Sequence, residues 1–289
     1  MQPTRPPLLS IESPFPEAHS MLRVLESADS CRNTIWERLF DGSYSKPFIV
    51  DSAFTRFLHF DFDAVQSAMD LKQPERLCLA YTRKMMTFLV FNRAPSRILI
   101  LGLGGGSIAK FCYRQLPATR LTAVEVNADV ISLRDEFNIP ADDARFRVIC
   151  ADGAAYVAKI PPSKDVILAD ACDRSGIAPE LDHLEFYQNA RRALAPHGLF
   201  VANLCGDAYD RAAHLFMIRQ VFGDDVLTLP VSPDGNVVTF AFRDGHPNVD
   251  FETLVTAAFE LRRSLGLDFP RYLLRLSPDW RRLASPDRS

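Results

Sequence analysis

Four short clusters in the chain carry residue types that could do chemistry. The first is Gly102-Leu103-Gly104-Gly105-Gly106-Ser107, which follows an apolar run and opens a helical pattern. Glycines there let backbone approach a ligand, and a helix N-terminus offers unpaired N–H groups to an anion. A tight β-to-α turn without a ligand is the plain alternative. Glu125 ends the next apolar run about 20 residues beyond that loop, where a carboxylate can accept both hydroxyls of an adenosine ribose. Asp152-Gly153 follows a third run; its carboxylate can accept from an adenine amino group, or simply cap a helix. Asp170-Ala171-Cys172-Asp173 closes a fourth run. Two acids so spaced can grip an ammonium group, and one can take its proton. An amine attacks only when neutral, so a base is what alkyl transfer to nitrogen requires.

These clusters need elements to hold them. The run 98–101 is four apolar residues closed by glycine, the pattern of a parallel strand buried on both faces. Strands at 121–125, 146–150, 165–170 and 199–203 continue it, with helices near 107–116, 128–137, 184–194 and 209–222. Two more strands, 226–231 and 237–242, flank Pro233-Asp234-Gly235, a hairpin turn signal. A dinucleotide-binding sheet would instead continue with a parallel sixth strand. The expected fold is therefore α/β, a class I methyltransferase-like (Rossmann-like) sheet ending in an antiparallel hairpin. Before it, residues 21–92 predict a small antiparallel β-rich region and an apolar helix over 78–91 with Tyr81 in its first turns. Residues 1–20, rich in proline, predict an extended or disordered arm. Residues 93–289 form the ligand-binding α/β domain in this reading, with helical or irregular packing over 250–265 and at Trp280-Arg281-Arg282.

The 289 residues are 47% hydrophobic and 24% charged, enough for a sizeable core, and a net charge of −3 argues against a general nucleic-acid binder. The six cysteines are scattered without a CxxC pair, which predicts buried reduced thiols in a cytoplasmic protein. Cys172, between two acids, is a poor nucleophile because negative neighbours disfavour its thiolate. His183, His197 and His214 lack metal-ligand spacing, so no metal is expected. No run approaches the roughly 18 apolar residues of a membrane span, and the start reads as no signal peptide.

In that order, Gly104-Gly105-Gly106-Ser107, Val124-Glu125-Val126-Asn127, Ala151-Asp152-Gly153 and Asp170 to Asp173 resemble the motifs of the spermidine synthase (polyamine aminopropyltransferase) family. With Gln66 and Tyr81 in the N-terminal region, the likeness spans roughly 45–243. It implies a transferase moving an aminopropyl group from decarboxylated S-adenosylmethionine to a di- or polyamine, without a metal. Asp170 would be the catalytic proton acceptor and Asp173 a ligand of the acceptor amine, with Tyr81 and Gln66 on the substrate side. Gly102, Gly104, Gly105, Gly106, Ser107, Glu125, Asp152 and Gly153 would hold the cofactor. The resemblance also implies a homodimer through the N-terminal β region.

The chain departs from the family pattern in places. Ser107 stands for the loop Asp that holds the cofactor's amino end, Thr82 follows the helix tyrosine, and Ser232 replaces a tyrosine in Pro230-Val231-Ser232-Pro233. Ser107 would also suit intact S-adenosylmethionine, which leaves open a methyltransferase acting on a small amine. A non-catalytic homologue that keeps only the cofactor pocket is a further alternative. A nucleotide-binding oxidoreductase fits poorly, because Ser107 replaces the last glycine of its loop and the terminal hairpin is antiparallel.

Overall fold

The computed structural model describes residues 8–12, 21–172, 178–223, 226–232, 235–247 and 249–276. Two sheets organise them. The first is five-stranded and antiparallel: β1 (Leu9–Glu12), β2 (Met21–Val24), β3 (Phe48–Asp51), β4 (Thr55–His59) and β5 (Val65–Asp70), paired in chain order, with helix α1 (Arg32–Phe40) between β2 and β3. Alternation sets its two faces. Phe48 and Val50 pack with Leu22, Val24, Ile35 and Leu39 under α1, whereas Ile49, Leu58 and Met69 turn into the main core. The arm expected over residues 1–20 departs from expectation at Leu9–Glu12. There Leu9 and Ile11 alternate with Ser10 and Glu12, so a strand can bury one edge against β2.

Helices α2 (Ala80–Met85) and α3 (Phe88–Phe91) lead into the second sheet. The single helix expected over 78–91 breaks at Met86 and Thr87, where N–H groups of Thr87, Leu89 and Val90 bond three residues back and tighten the chain. There follow β6 (Arg97–Leu101), α4 (Ser107–Gln115), β7 (Arg120–Glu125), α5 (Ala128–Ser132), β8 (Phe146–Cys150), α6 (Gly153–Lys159) and β9 (Lys164–Ala169). After a 3₁₀ turn at Pro179–Leu181 come α7 (Leu184–Ala193), β10 (Leu194–Leu204), α8 (Ala208–Phe222), β11 (Leu227–Pro230), β12 (Val237–Phe242), α9 (Phe251–Leu265) and α10 (Phe269–Arg275).

The seven strands lie in the order β11-β12-β10-β9-β6-β7-β8, parallel except for the terminal hairpin, in which β12 runs antiparallel to β10. Both faces are covered. On one, Ile98, Ile100, Val166, Leu168 and Val201 meet α2, α3, α4, α9 and α10. On the other, Leu99, Leu101, Ile167, Ala169 and Phe200 meet α6, α7 and α8. This explains why the strands read as unbroken apolar runs.

Helix α5 is shorter than the 128–137 expected. Residues beyond it turn tightly, with Asn138 at a φ of 52°, and bring Phe137 and Ile139 beneath the glycine loop. Two arginines clamp this segment to the small sheet. Arg23 reaches Asp51 (2.8 Å) and Glu136 (2.7 Å), and Arg56 reaches Asp51 (2.6 Å) and Glu136 (3.2 Å). Among the described residues, no helix is long and apolar enough to cross a membrane.

Candidate active site

The strand order reverses between β6 and β9. The connection leaving β6 goes to one face and that leaving β9 to the other, which opens a crevice at their carboxyl ends. A cavity of about 560 Å³ sits there, roofed by the small sheet. Gly102, Gly104, Ser107, Glu125, Gly153, Asp170, Tyr81 and Gln66 all line it. Residues far apart in sequence are thus brought to one place.

On the β6–β7 side, backbone does the positioning. Gly102 has a φ of +90°, and a Cβ there would lie 2.3 Å from the carbonyl oxygen of Asp170, so only glycine fits. A Cβ on Gly105 would meet Ser67 Oγ at 2.7 Å and Phe137 at 2.8 Å. Gly105 and Gly106 therefore support the loop from behind, packed on β5 and on the segment after α5. The Glu125 carboxylate accepts from the N–H of Leu103 (2.8 Å) and of Asn127 (2.9 Å), one bond to each oxygen. Those bonds fix its plane and leave lone pairs able to accept further hydrogen bonds from the cavity it lines. Ser107 is 7% exposed, its hydroxyl 3.2 Å from Ser67 Oγ and donating to the Ala68 carbonyl at 3.4 Å. It ties the two sheets together. Asp152 accepts from Ala155 N–H (2.7 Å) and caps α6; Gly153, not Asp152, lines the cavity.

On the β9–β10 side, side chains do the positioning. Asp170 faces the cavity with its carboxyl closely enclosed by protein. Desolvation pushes its pKa up to about 6, while hydrogen bonds from Asn203 and Tyr81 pull it down. Asn203 Nδ2 donates to Asp170 Oδ1 at 3.0 Å. Asp173 lies outside the described residues.

Cys172 lines the cavity and forms a disulfide with Cys205, Cα–Cα 6.6 Å. This corrects the expectation of reduced thiols: β9 and β10 are adjacent and parallel, so residues just past their ends meet. Nor are the remaining thiols uniformly buried, since Cys31 and Cys150 are exposed, Cys78 is half-buried and Cys112 alone is buried. Asn203 also escaped the sequence reading. Its signal was there, because a polar residue ending a buried strand points at the crevice where such sheets bind ligands.

The acceptor-rich, acidic lining can suit a ligand bearing hydroxyl groups and positive charge. Glu125 can take the ribose, and no Lys, Arg or His stands among the described lining residues. Among the described residues no group of three or more His, Cys, Asp or Glu could hold a metal ion.

Known proteins resemble this chain in sequence and in fold. Residues 79–215 match the spermine/spermidine synthase domain model. The polyamine aminopropyltransferase of Chromobacterium violaceum is 38% identical over 222 residues, covering 76% of this chain and 85% of the relative. That of Neisseria meningitidis serogroup A is 38% identical over 223 residues, with the same 76% and 85% coverage. Two solved structures share the fold. A probable spermidine synthase from Corynebacterium glutamicum has a TM-score of 0.65 at 23% identity, covering 83% of this chain and 91% of its own. Human methyltransferase-like protein 13 in complex with SAH has a TM-score of 0.59 at 24% identity, covering 65% and 93%. With more than a third of positions identical to curated relatives along three quarters of its length, the chain belongs to the polyamine aminopropyltransferase (spermidine synthase) family.

Proposed function

We propose that this protein transfers an aminopropyl group from decarboxylated S-adenosylmethionine to a di- or polyamine, with Asp170 as the base. The observation that carries the reading is the charge of the cavity. Its described lining holds two carboxylates, Glu125 and Asp170, and no basic side chain. Intact S-adenosylmethionine would bring a carboxylate with no cation to meet it, whereas the decarboxylated form and an amine acceptor are cationic. Ser107, the residue that favoured the intact cofactor, spends its hydroxyl on Ser67 and Ala68.

The bound donor supplies a carbon activated by its positively charged sulfur. Glu125 and the glycine loop hold the nucleoside end, and Tyr81 and Gln66 line the amine side. Asp173 stays in this reading as an amine ligand by family resemblance. Asp170 takes the proton that the attacking nitrogen must lose; a C–N bond forms as the C–S bond breaks, and sulfur keeps the electron pair. Positioning by these groups supplies the rest of the rate. The same reading includes a homodimer through the N-terminal β region, supported by Phe40 at the end of α1 and Phe54 between β3 and β4, 68% and 66% exposed.

Calorimetric titration of decarboxylated against intact S-adenosylmethionine tests it, followed by chromatography of products formed with 1,4-diaminobutane. Tighter binding of the decarboxylated form and a new triamine are expected. Equal or tighter binding of the intact cofactor, with no triamine, would replace aminopropyl by methyl transfer.

A further inference from the structure

Behind Asp170 runs a short polar relay that nothing in the motif pattern announces. Asn203, one residue before the end of β10, is 4% exposed and gives its Nδ2 to Asp170. Its other end, Oδ1, accepts from Asn236 Nδ2 at 3.1 Å. Asn236 sits in the connection between β11 and β12, where its carbonyl accepts from Val231 N–H at 2.7 Å and Gly235 N–H bonds the Val231 carbonyl at 3.0 Å. The second amide is thus presented from a closed turn.

We propose that Asn236 is a positioning residue for the base: it fixes the Asn203 amide so that the NH2 end, and not the carbonyl, meets Asp170. The inference rests on Asp170 being the proton acceptor. The two ends of a side-chain amide have nearly the same shape but opposite hydrogen-bonding character. A free Asn203 could offer its carbonyl to a protonated Asp170 as readily as its NH2 to an ionised one. Once Oδ1 is taken by Asn236, the NH2 end faces Asp170, and its hydrogen bond is stronger to the ionised, proton-accepting carboxylate than to the neutral acid.

The relay therefore opposes the desolvation that raises this carboxyl, and keeps the base usable near neutral pH. Few other described groups act on it. Tyr81 on α2 bonds the same carboxyl, and Glu125 at the end of β7 lines the same cavity. Beyond the end of β6, Gly102 packs on the backbone of Asp170, and Cys172 is held in its disulfide. Lys84, also on α2, is engaged by the carbonyl of Pro230 at 2.6 Å.

Two readouts on the full chain test this in wild type, Asn236→Ala and Asn236→Asp. The first is a carbon-13 NMR titration of the Asp170 carboxyl, assigned with Asp170→Asn, which needs no turnover. The second is the pH profile of kcat with decarboxylated S-adenosylmethionine and 1,4-diaminobutane. In Asn236→Asp the carboxyl of Asp170 should titrate about one pH unit higher, a tenfold change in its ionisation constant, and the acid limb of kcat should move with it. Asn236→Ala should shift both in the same direction without adding charge, and activity should recover at alkaline pH. An unmoved titration in both variants, or a loss of kcat equal at every pH, would overturn the proposal. A wild type that makes no triamine while the titration still shifts would sink the aminopropyl reading and spare the anchor. Turnover with an unmoved titration would do the reverse.

Discussion

The two sides of the cavity hold their carboxylates by different means. Glu125 is fixed by two backbone N–H groups, from Leu103 in the glycine loop and Asn127 two residues on. Asp170 is fixed by side chains, from Asn203 on β10 and Tyr81 on α2. Backbone donors come with the fold and cost little to order, and in the proposed function they would suit an invariant nucleoside. Side-chain donors can be exchanged one at a time, so the half that the proposed function assigns to a variable amine could be retuned without disturbing the sheet. The contrast also explains what could be read in advance. Glycine spacing and a strand-end acid are local patterns, so it was legible from sequence that the glycine loop and Glu125 would share one crevice.

The Asp170 half was legible only as far as Asp170 itself. Asn203 and Asn236 come together because β10 and β12 pair antiparallel, a long-range fact that no local window contains. The Cys172–Cys205 pairing has the same origin in the β9–β10 register. Ser107 was read as a ligand group because it opens α4. Its tie to Ser67 depends on how the small sheet docks, which its spacing could not reveal. Element types survived well, whereas lengths did not, as with α5, which stops at Ser132 once the chain turns to place Phe137 under Gly105.

The difference between the two sides can be broken first at Asp170. Asp170→Asn should lower kcat on the order of a thousandfold while leaving cofactor affinity unchanged, as read by single-turnover kinetics and calorimetry. A comparable loss of affinity would mean the two sides do not act separately. Because this pKa is raised to about 6, wild-type kcat should climb with pH through about 6 and level above it. Stability runs the other way. A carboxyl raised above its ordinary 3.8 favours the folded state below that value, and the contribution is lost as pH rises through about 6. Asp170→Asn should therefore melt higher than wild type above pH 6, with the gap closing toward pH 4.

Glu125→Gln is the mirror experiment. It replaces a charged acceptor of hydroxyl and N–H groups by a neutral amide, so cofactor Kd should rise about 10- to 100-fold in calorimetry with kcat at saturation little changed. A fall in kcat larger than the change in Kd would show that the nucleoside end also steers the chemistry. The smallest effect is expected at the tether between strands. Cys205→Ser frees the chain just after Asp170, and the KM of the amine should rise a few-fold while cofactor Kd stays put. Its melting temperature should fall by several degrees, and a reducing agent should produce the same drop in wild type and none in the variant.

The contact between Ser67 and the glycine loop has a consequence for how the molecule comes into being. Strands β2 to β5 pair with neighbours in sequence, so the roof of the cavity can form early. The floor cannot, because β6 has to wait for β9, which is reached only after two intervening strands and their helices. A chain leaving the ribosome can thus pair the strands of the roof first, although the face carrying Ile49, Leu58 and Met69 stays uncovered until the main core forms. By this order ligand affinity should be among the last properties it acquires, and a ligand that binds the finished cavity should act on the final docking step rather than on the earlier ones.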